Sequence, residues 1–127
     1  MRRDQRLLTQ QHFRRVYQRG RRASGRWMTV VACGGGPRHT DRPTRLGVSV
    51  SKDHGGAVRR NKLKRLLREA FRLERHRMPS AIDVVLIPRQ RPDRFPLAEL
   101  RTEVVALVLR AVGTSADPRP PREDRRP

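Results

Sequence analysis

The apolar positions of the chain change period along its length, and each period marks an element. Phe13, Val16 and Tyr17 fall at i, i+3 and i+4, the spacing of one helix face. Thr9 precedes them as an N-cap and Gly20 follows at a C′ position, which predicts a helix over 10–19. Residues 21–26 are polar and basic and read as a turn. Trp27–Ala32 is rich in β-prone side chains. Arg45–Ser51 alternates Leu46, Val48 and Val50 with Gly47, Ser49 and Ser51, the pattern of a half-buried strand with a small, hydroxyl-bearing opposite face. Gly34–Gly36, Pro37 and the polar run to Pro43 form a flexible connection. The two strands are expected to pair across it as an antiparallel hairpin.

Lys52–Gly56 then turns into the most informative stretch, residues 57–76, AVRRNKLKRLLREAFRLERH. Leu63, Leu66, Leu67, Ala70 and Phe71 again follow helical spacing, so one side can enter a core. The helix is predicted to run to about Arg77 and to stop before Pro79. Ala81–Pro88 (AIDVVLIP) is a nearly continuous apolar run with β-branched residues, consistent with a buried central strand. Strand, long helix and strand in this order make a βαβ unit. Residues 96–112 carry a last amphipathic stripe of Leu97, Leu100, Val104, Leu107, Val108 and Ala111, with Pro96 suited to the first turn. From Gly113 onward no apolar face remains, which predicts a disordered tail. No internal repeat is present.

Charge changes the picture at the long helix. Eight Arg/Lys stand there against two Glu, and Arg60, Lys64, Arg68 and Arg72 recur every fourth residue as a nearly straight basic row. Like charges at this spacing cost a few tenths of a kcal/mol per pair, roughly. A solvated face usually mixes signs at that spacing. The row therefore points to a polyanionic partner. The whole chain agrees: 31 Lys+Arg against 12 Asp+Glu give +19 over 127 residues, enough for one domain with one core. Such a balance favours nucleic acid or an anionic membrane surface. No apolar run approaches the ~18 residues of a membrane span. The N-terminus starts basic but has no apolar segment of signal-peptide length. The single Cys33 has no internal disulfide partner and fits a reducing compartment. A cytoplasmic protein that does not engage membranes is expected.

Candidate chemistry narrows the class further. His12, His39, His54 and His76 are not at ligand spacing with Cys or one another, so no metal is expected to be held by the protein. Cys33 lies in an apolar run and reads as a small core residue. Gly34–Gly36 lacks the Lys-Ser/Thr that a P-loop requires. Acidic residues are too dispersed for a two-metal nuclease site. The chain alone does not read as a catalyst, and no catalytic residue is assigned. RNA binding fits better, because Arg can fork onto two phosphate oxygens. Asn61 is either a neutral contact among the charges or a capping or turn residue. Spacing favours Phe13 and Tyr17 as core, and the functional alternative is a stacking edge for an unpaired strand.

The segment LGVSVSKDHGGAVRRNKLKRLLREAFR resembles the protein subunit of bacterial ribonuclease P. The match runs through Ala57, Val58, Arg59, Arg60, Asn61, Lys62, Leu63, Lys64, Arg65, Arg68, Glu69, Phe71 and Arg72. LLTQQHFRRVYQRGRRASGRW and IDVVLIPR resemble the family's first helix and late strand, so the likeness spans about residues 7–110. Residues 1–112 would form the ribonuclease P protein domain, and 113–127 a basic, Pro-rich tail.

The resemblance implies an α/β (α+β) fold, a small two-layer sandwich of order α-β-β-β-α-β-α with a left-handed βαβ crossover. One short strand beyond those read from the residues comes with it. The implied activity is endonucleolytic removal of the 5′ leader from precursor tRNA, catalysed by a partner RNA with Mg²⁺. The implied state is a monomer in a 1:1 protein–RNA complex. Carried over, Arg59, Arg60, Asn61, Lys62, Lys64, Arg65, Arg68 and Arg72 would face the catalytic RNA. Phe13, Tyr17, Ser49, Ser51 and Lys52 would line a leader cleft between the first helix and the sheet. Lys62 replaces the family's usual Arg and loses its planar fork. Asp53 replaces a usual Lys, where an acid would weaken leader affinity or cap the turn. The rival class is a non-catalytic RNA-binding protein of ribosomal type.

Overall fold

A strand buried on both faces needs partners on both edges, and the run after the basic helix has them. The computed structural model describes residues 5–7, 9–34, 43–90 and 94–113. Its elements are α1 (Gln10–Arg19), β1 (Arg21–Ser24), β2 (Met28–Gly34), β3 (Arg45–Val48), α2 (Ala57–Glu74), β4 (Ile82–Pro88) and α3 (Leu97–Ala111). One 3-10 turn, Lys52–His54, leads into α2, and another, Arg75–Arg77, completes it. The sheet order is β1-β2-β4-β3. β4 pairs antiparallel with β2 from Met28↔Pro88 to Gly34↔Ile82, and parallel with β3 from Arg45↔Asp83 to Val48↔Leu86.

Two expectations fail here. β2 and β3 do not form a hairpin; β4 lies between them. β4 satisfies β2 over seven residue pairs, a longer ladder than the four residues of β3 could supply. Residues 21–24 are a strand rather than a turn, pairing with β2 from Arg21↔Ala32 to Ser24↔Thr29. This is the extra short strand that the resemblance implied. It is an edge strand with only Ala23 buried, so polar and charged residues are tolerated on its open side. The stretch 35–42 and the tail 114–127 lie outside the described residues.

The sheet is covered on both faces. Met28, Val30, Ala32, Leu46, Val48, Ile82, Val84 and Leu86 point to α2 and α3, where Leu63, Leu67, Ala70, Phe71, Leu100, Val104, Leu107 and Val108 meet them. Val31, Cys33 and Val85 point the other way, to Val16 of α1 and Leu7, with Phe13 and Tyr17 packed at the margin. Cys33 is a buried core residue, as expected. Between the two helices, Glu74 is buried and accepts from Arg101 (2.6 Å) and Arg77 (3.2 Å). The Arg101 hydrogen bond, then Arg77, holds its carboxyl below the usual range. At the β1–β2 turn, Glu103 of α3 accepts the backbone N–H groups of Arg26, Trp27 and Met28 at 2.8–2.9 Å.

Gly20 ends α1, but not in the left-handed conformation expected of a C′ glycine. Its φ is −83° and ψ 165°, and its N–H donates to the Val16 carbonyl at 2.7 Å. Proximity explains the glycine instead. A Cβ there would lie 2.5 Å from the Val16 carbonyl oxygen and 2.9 Å from that of Ala32. Both are backbone atoms of regular elements and cannot step aside. Gly20→Ala should therefore destabilise the protein by about 1–3 kcal/mol, as overpacking does. Urea unfolding measures this directly, and an unchanged midpoint would contradict the close approach.

Candidate nucleic-acid interface

α2 starts from Gly56, which has no side chain to cap the helix, and its first turn contains no acid. Positive dipole and cationic side chains thus coincide at one end. Arg59, Asn61, Lys62 and Arg65 are exposed; Arg60, Lys64 and Arg68 are half-buried. Asn61 is the fifth residue of the helix, so the capping and turn alternatives fall away. Val58, 74% exposed, together with Asn61, Arg65 and Arg68 lines an open depression of about 480 Å³.

The basic row is not uniform. Arg60 donates through Nε to the Gly55 carbonyl at 3.1 Å, which ties its guanidinium to the helix start. Arg72 forms two hydrogen bonds to Glu69, at 2.9 and 2.8 Å, so its charge is largely answered within the protein. Arg68 is the reverse case. Burial, and then the neighbouring charge of Arg6, push its guanidinium below the usual arginine range. Arg6 bridges to Leu46 beside β3 and was absent from the sequence-based set. Nothing in local spacing links it to α2, because the link is made by the sheet edge. Lys62, Lys64 and Arg65 have no ion-pair partner among the described residues.

On the opposite face of the sheet, the ring of Phe13 reaches Gly47. A Cβ on that glycine would lie 2.6 Å from the ring tip, so the missing side chain seats the phenyl. Phe13 and Tyr17 are half-buried, intermediate between the core and stacking alternatives. The Arg22 guanidinium lies 5.8 Å over the Tyr17 ring. Ser49 continues past β3, its N–H donating to Leu86 at 2.9 Å. Ser51 and Lys52 follow, exposed, at the 3-10 turn that also holds Asp53. Phe13 is thus brought to β3, and the two serines and Lys52 lie just beyond that strand's end.

Sequence reasoning missed a charged cluster beside this face. Asp83, 1% exposed, receives Arg45 through two bonds of 2.9 Å and Arg15 at 3.1 Å. Arg15 also donates to the Gly34 carbonyl at 3.3 Å. The Asp83 hydrogen bond raises the Arg45 guanidinium above its ordinary range. A lone acid inside IDVVLIP was the available signal, since a buried carboxylate must be paired.

Among the described residues, no three His, Cys, Asp or Glu gather as a metal site. No helix there is long and apolar enough to cross a membrane.

The sequence profile of the family described as Ribonuclease P matches residues 1–112. The ribonuclease P protein component of Syntrophus aciditrophicus is 32% identical over 108 residues, covering 85% of this chain and 87% of the relative. That of Photorhabdus laumondii is 41% identical over 86 residues, covering 67% and 69%. The solved RNase P protein from Thermotoga maritima superposes with a TM-score of 0.71 at 30% identity, covering 83% of this chain and 96% of that one. The RNase P protein of Staphylococcus aureus gives 0.68 at 30% identity, covering 85% and 94%.

Replacing Arg60, Lys64 and Arg68 together by Ala should weaken RNA binding. Each lost phosphate contact should shrink the log–log salt slope by about 0.7–0.9. Arg72→Ala alone should change the slope less, because Glu69 already answers that charge. Filter binding across a salt series measures both, and an unchanged slope in the triple variant would mean that the row is merely solvated.

Proposed function

The chain belongs to the ribonuclease P protein family, and on that premise we propose how it works as the enzyme's protein subunit. α2 docks the catalytic RNA, and the side of the sheet bearing α1 takes the 5′ leader of precursor tRNA. One observation carries this division: α1 and α2 cover opposite faces of one sheet. A monomer in a 1:1 complex can then hold ribozyme and substrate without their competing for a surface.

Two polyanions repel, and a protein of net charge +19 between them screens that repulsion. Arg65, Arg68 and Asn61 offer phosphate and base-edge donors around the α2 depression. Tyr17 and Phe13 offer ring edges to an unpaired strand, and Ser49, Ser51 and Lys52 offer hydroxyl and ammonium donors beyond β3. None of these groups makes or breaks a bond. Hydrolysis falls to the partner RNA and the Mg²⁺ that the RNA holds. Among the described residues, Glu74, Asp83 and Glu103 do not fit a metal-binding role, since they are engaged by arginines or backbone N–H groups. Cytoplasmic tRNA maturation is the setting in which this chemistry is needed.

Reconstitution tests the proposal. Added to the catalytic RNA at low Mg²⁺, the protein should confer efficient 5′ processing. A ribosomal-type binder would raise RNA retention without raising cleavage, and that result would overturn the assignment.

The leader side has its own test. Tyr17→Ala should weaken precursor tRNA by about tenfold relative to mature tRNA, since loss of stacking costs about 1–3 kcal/mol. Both affinities are read with the partner RNA present, alongside thermal melting because Tyr17 is half-buried. A folded variant with equal losses for the two RNAs would remove Tyr17 from the leader cleft.

A further inference from the structure

α1 has a second face that the leader cleft does not use. Gln11, Arg14, Arg15, Gln18 and Arg19 recur at i, i+3, i+4, i+7 and i+8 and line an open groove of about 280 Å³. The helix contains no acidic residue. Gln11, Arg14, Gln18 and Arg19 are exposed, and neither Arg14 nor Arg19 has an ion-pair partner among the described residues. The groove is built rather than accidental on one side. Arg15 is anchored by the buried Asp83 and by the Gly34 carbonyl. Asp83 also answers Arg45, so one carboxylate faces two guanidinium groups and leaves the cluster cationic.

We propose that this face binds the phosphate backbone of the 5′ leader beyond the segment held in the cleft. The inference rests on the leader assignment above and adds a second station to it. Three features select this occupant. The groove offers guanidinium and amide donors but no aromatic ring, which suits backbone and base-edge contacts and not stacking. It adjoins the cleft, because at about 100° per residue Arg14 lies about 60° around the helix from Tyr17. It lies on the side of the sheet away from α2, so RNA docked on the basic row does not cover it. A strand leaving the Tyr17 edge meets Arg14 and Gln18 next, then Arg15, fixed by Asp83, and Arg19.

Leader length separates the two stations. Single-strand sites on small domains span about 4–16 nucleotides, so a leader below that range stays in the cleft and one at its upper end reaches the outer face. The holoenzyme carrying Arg14→Gln and Arg19→Gln should bind mature tRNA and short-leader precursor as the wild type does. For the long-leader precursor its salt slope should fall by about 1.4, two single-strand contacts at about 0.7 each. A fourfold rise in salt should then weaken the wild type about sevenfold more than the variant. Both positions are exposed, so thermal melting should not move. Equal losses for all three RNAs would overturn the proposal by assigning the face to the catalytic RNA or the tRNA body. No loss for any would overturn it by showing a solvated face.

Tyr17→Ala, run in parallel, keeps the two readings distinct. If it fails to separate precursor from mature tRNA while the arginine variant still shows leader-length dependence, the cleft falls and the outer station stands. If Tyr17→Ala separates them and the arginine variant shows no length dependence, only the outer station falls.

Discussion

The molecule depends on β4 being hydrogen-bonded along both edges and buried on both faces. Its ladder to β2 is antiparallel and its ladder to β3 is parallel, so it joins β3 to the antiparallel pair of β2 and β1. Ile82, Val84 and Leu86 enter the core under α2 and α3, while Val85 enters the one under α1. Strict alternation thus gives a single seven-residue segment two cores. The consequence is functional. Helices on opposite faces of one strand cannot present the same surface, so the basic helix and the aromatic helix offer two separate surfaces.

Three of the six acids among the described residues hold elements of the fold together. Glu74 clasps α2 to α3, Glu103 pins the β1–β2 turn, and Asp83 ties α1 and β3 to β4. The other three lie nearer the surface: Glu69 is spent on Arg72 at the end of the basic row, Glu99 accepts from the Trp27 indole N–H, and Asp53 is exposed in the turn before α2. Sequestering negative charge in clasps leaves the outward faces of α1 and α2 almost wholly cationic. Net charge then understates the local field at these faces, which carry little of the chain's acid.

How much of this was legible follows from which contacts are local. Helix spans, the central strand and the buried face of α2 follow from periodicity, because each is dictated by one element's exposure to one core. The basic row was legible for the same reason: i, i+4 spacing is a property of one helix. Pairing was not. A hairpin between the second and third strands is the contiguous choice, but β4, distant in sequence, matches β2 over its full length. β1 was hidden because RRAS buries only Ala23, and edge strands need no alternation. Family resemblance supplied that strand. Arg6 near Arg68, and Arg15 with Arg45 on Asp83, are meetings made by the sheet, and no window of sequence contains them.

The repulsion along α2 raises the question of why the helix tolerates it. Each like-charge neighbour costs a few tenths of a kcal/mol. Against this, Leu63, Leu67 and Phe71 are 7%, 0% and 0% exposed, and burying each such side chain contributes about 1.5–3 kcal/mol. The apolar face outweighs the row several times over. The cationic face is therefore held in place by contacts that do not involve its charges. Arg68 illustrates the arrangement best. Its stem is partly buried, its charge sits near that of Arg6, and no residue of α2 answers it. A phosphate placed there would relieve the repulsion and satisfy donors at once, without the helix having to move. Arg72, already bonded to Glu69, would first have to give up two hydrogen bonds. Within the row, Arg60 is tied to the Gly55 carbonyl and Arg72 is committed to Glu69, so Lys64 and Arg68 between them are the cations left poised for a phosphate.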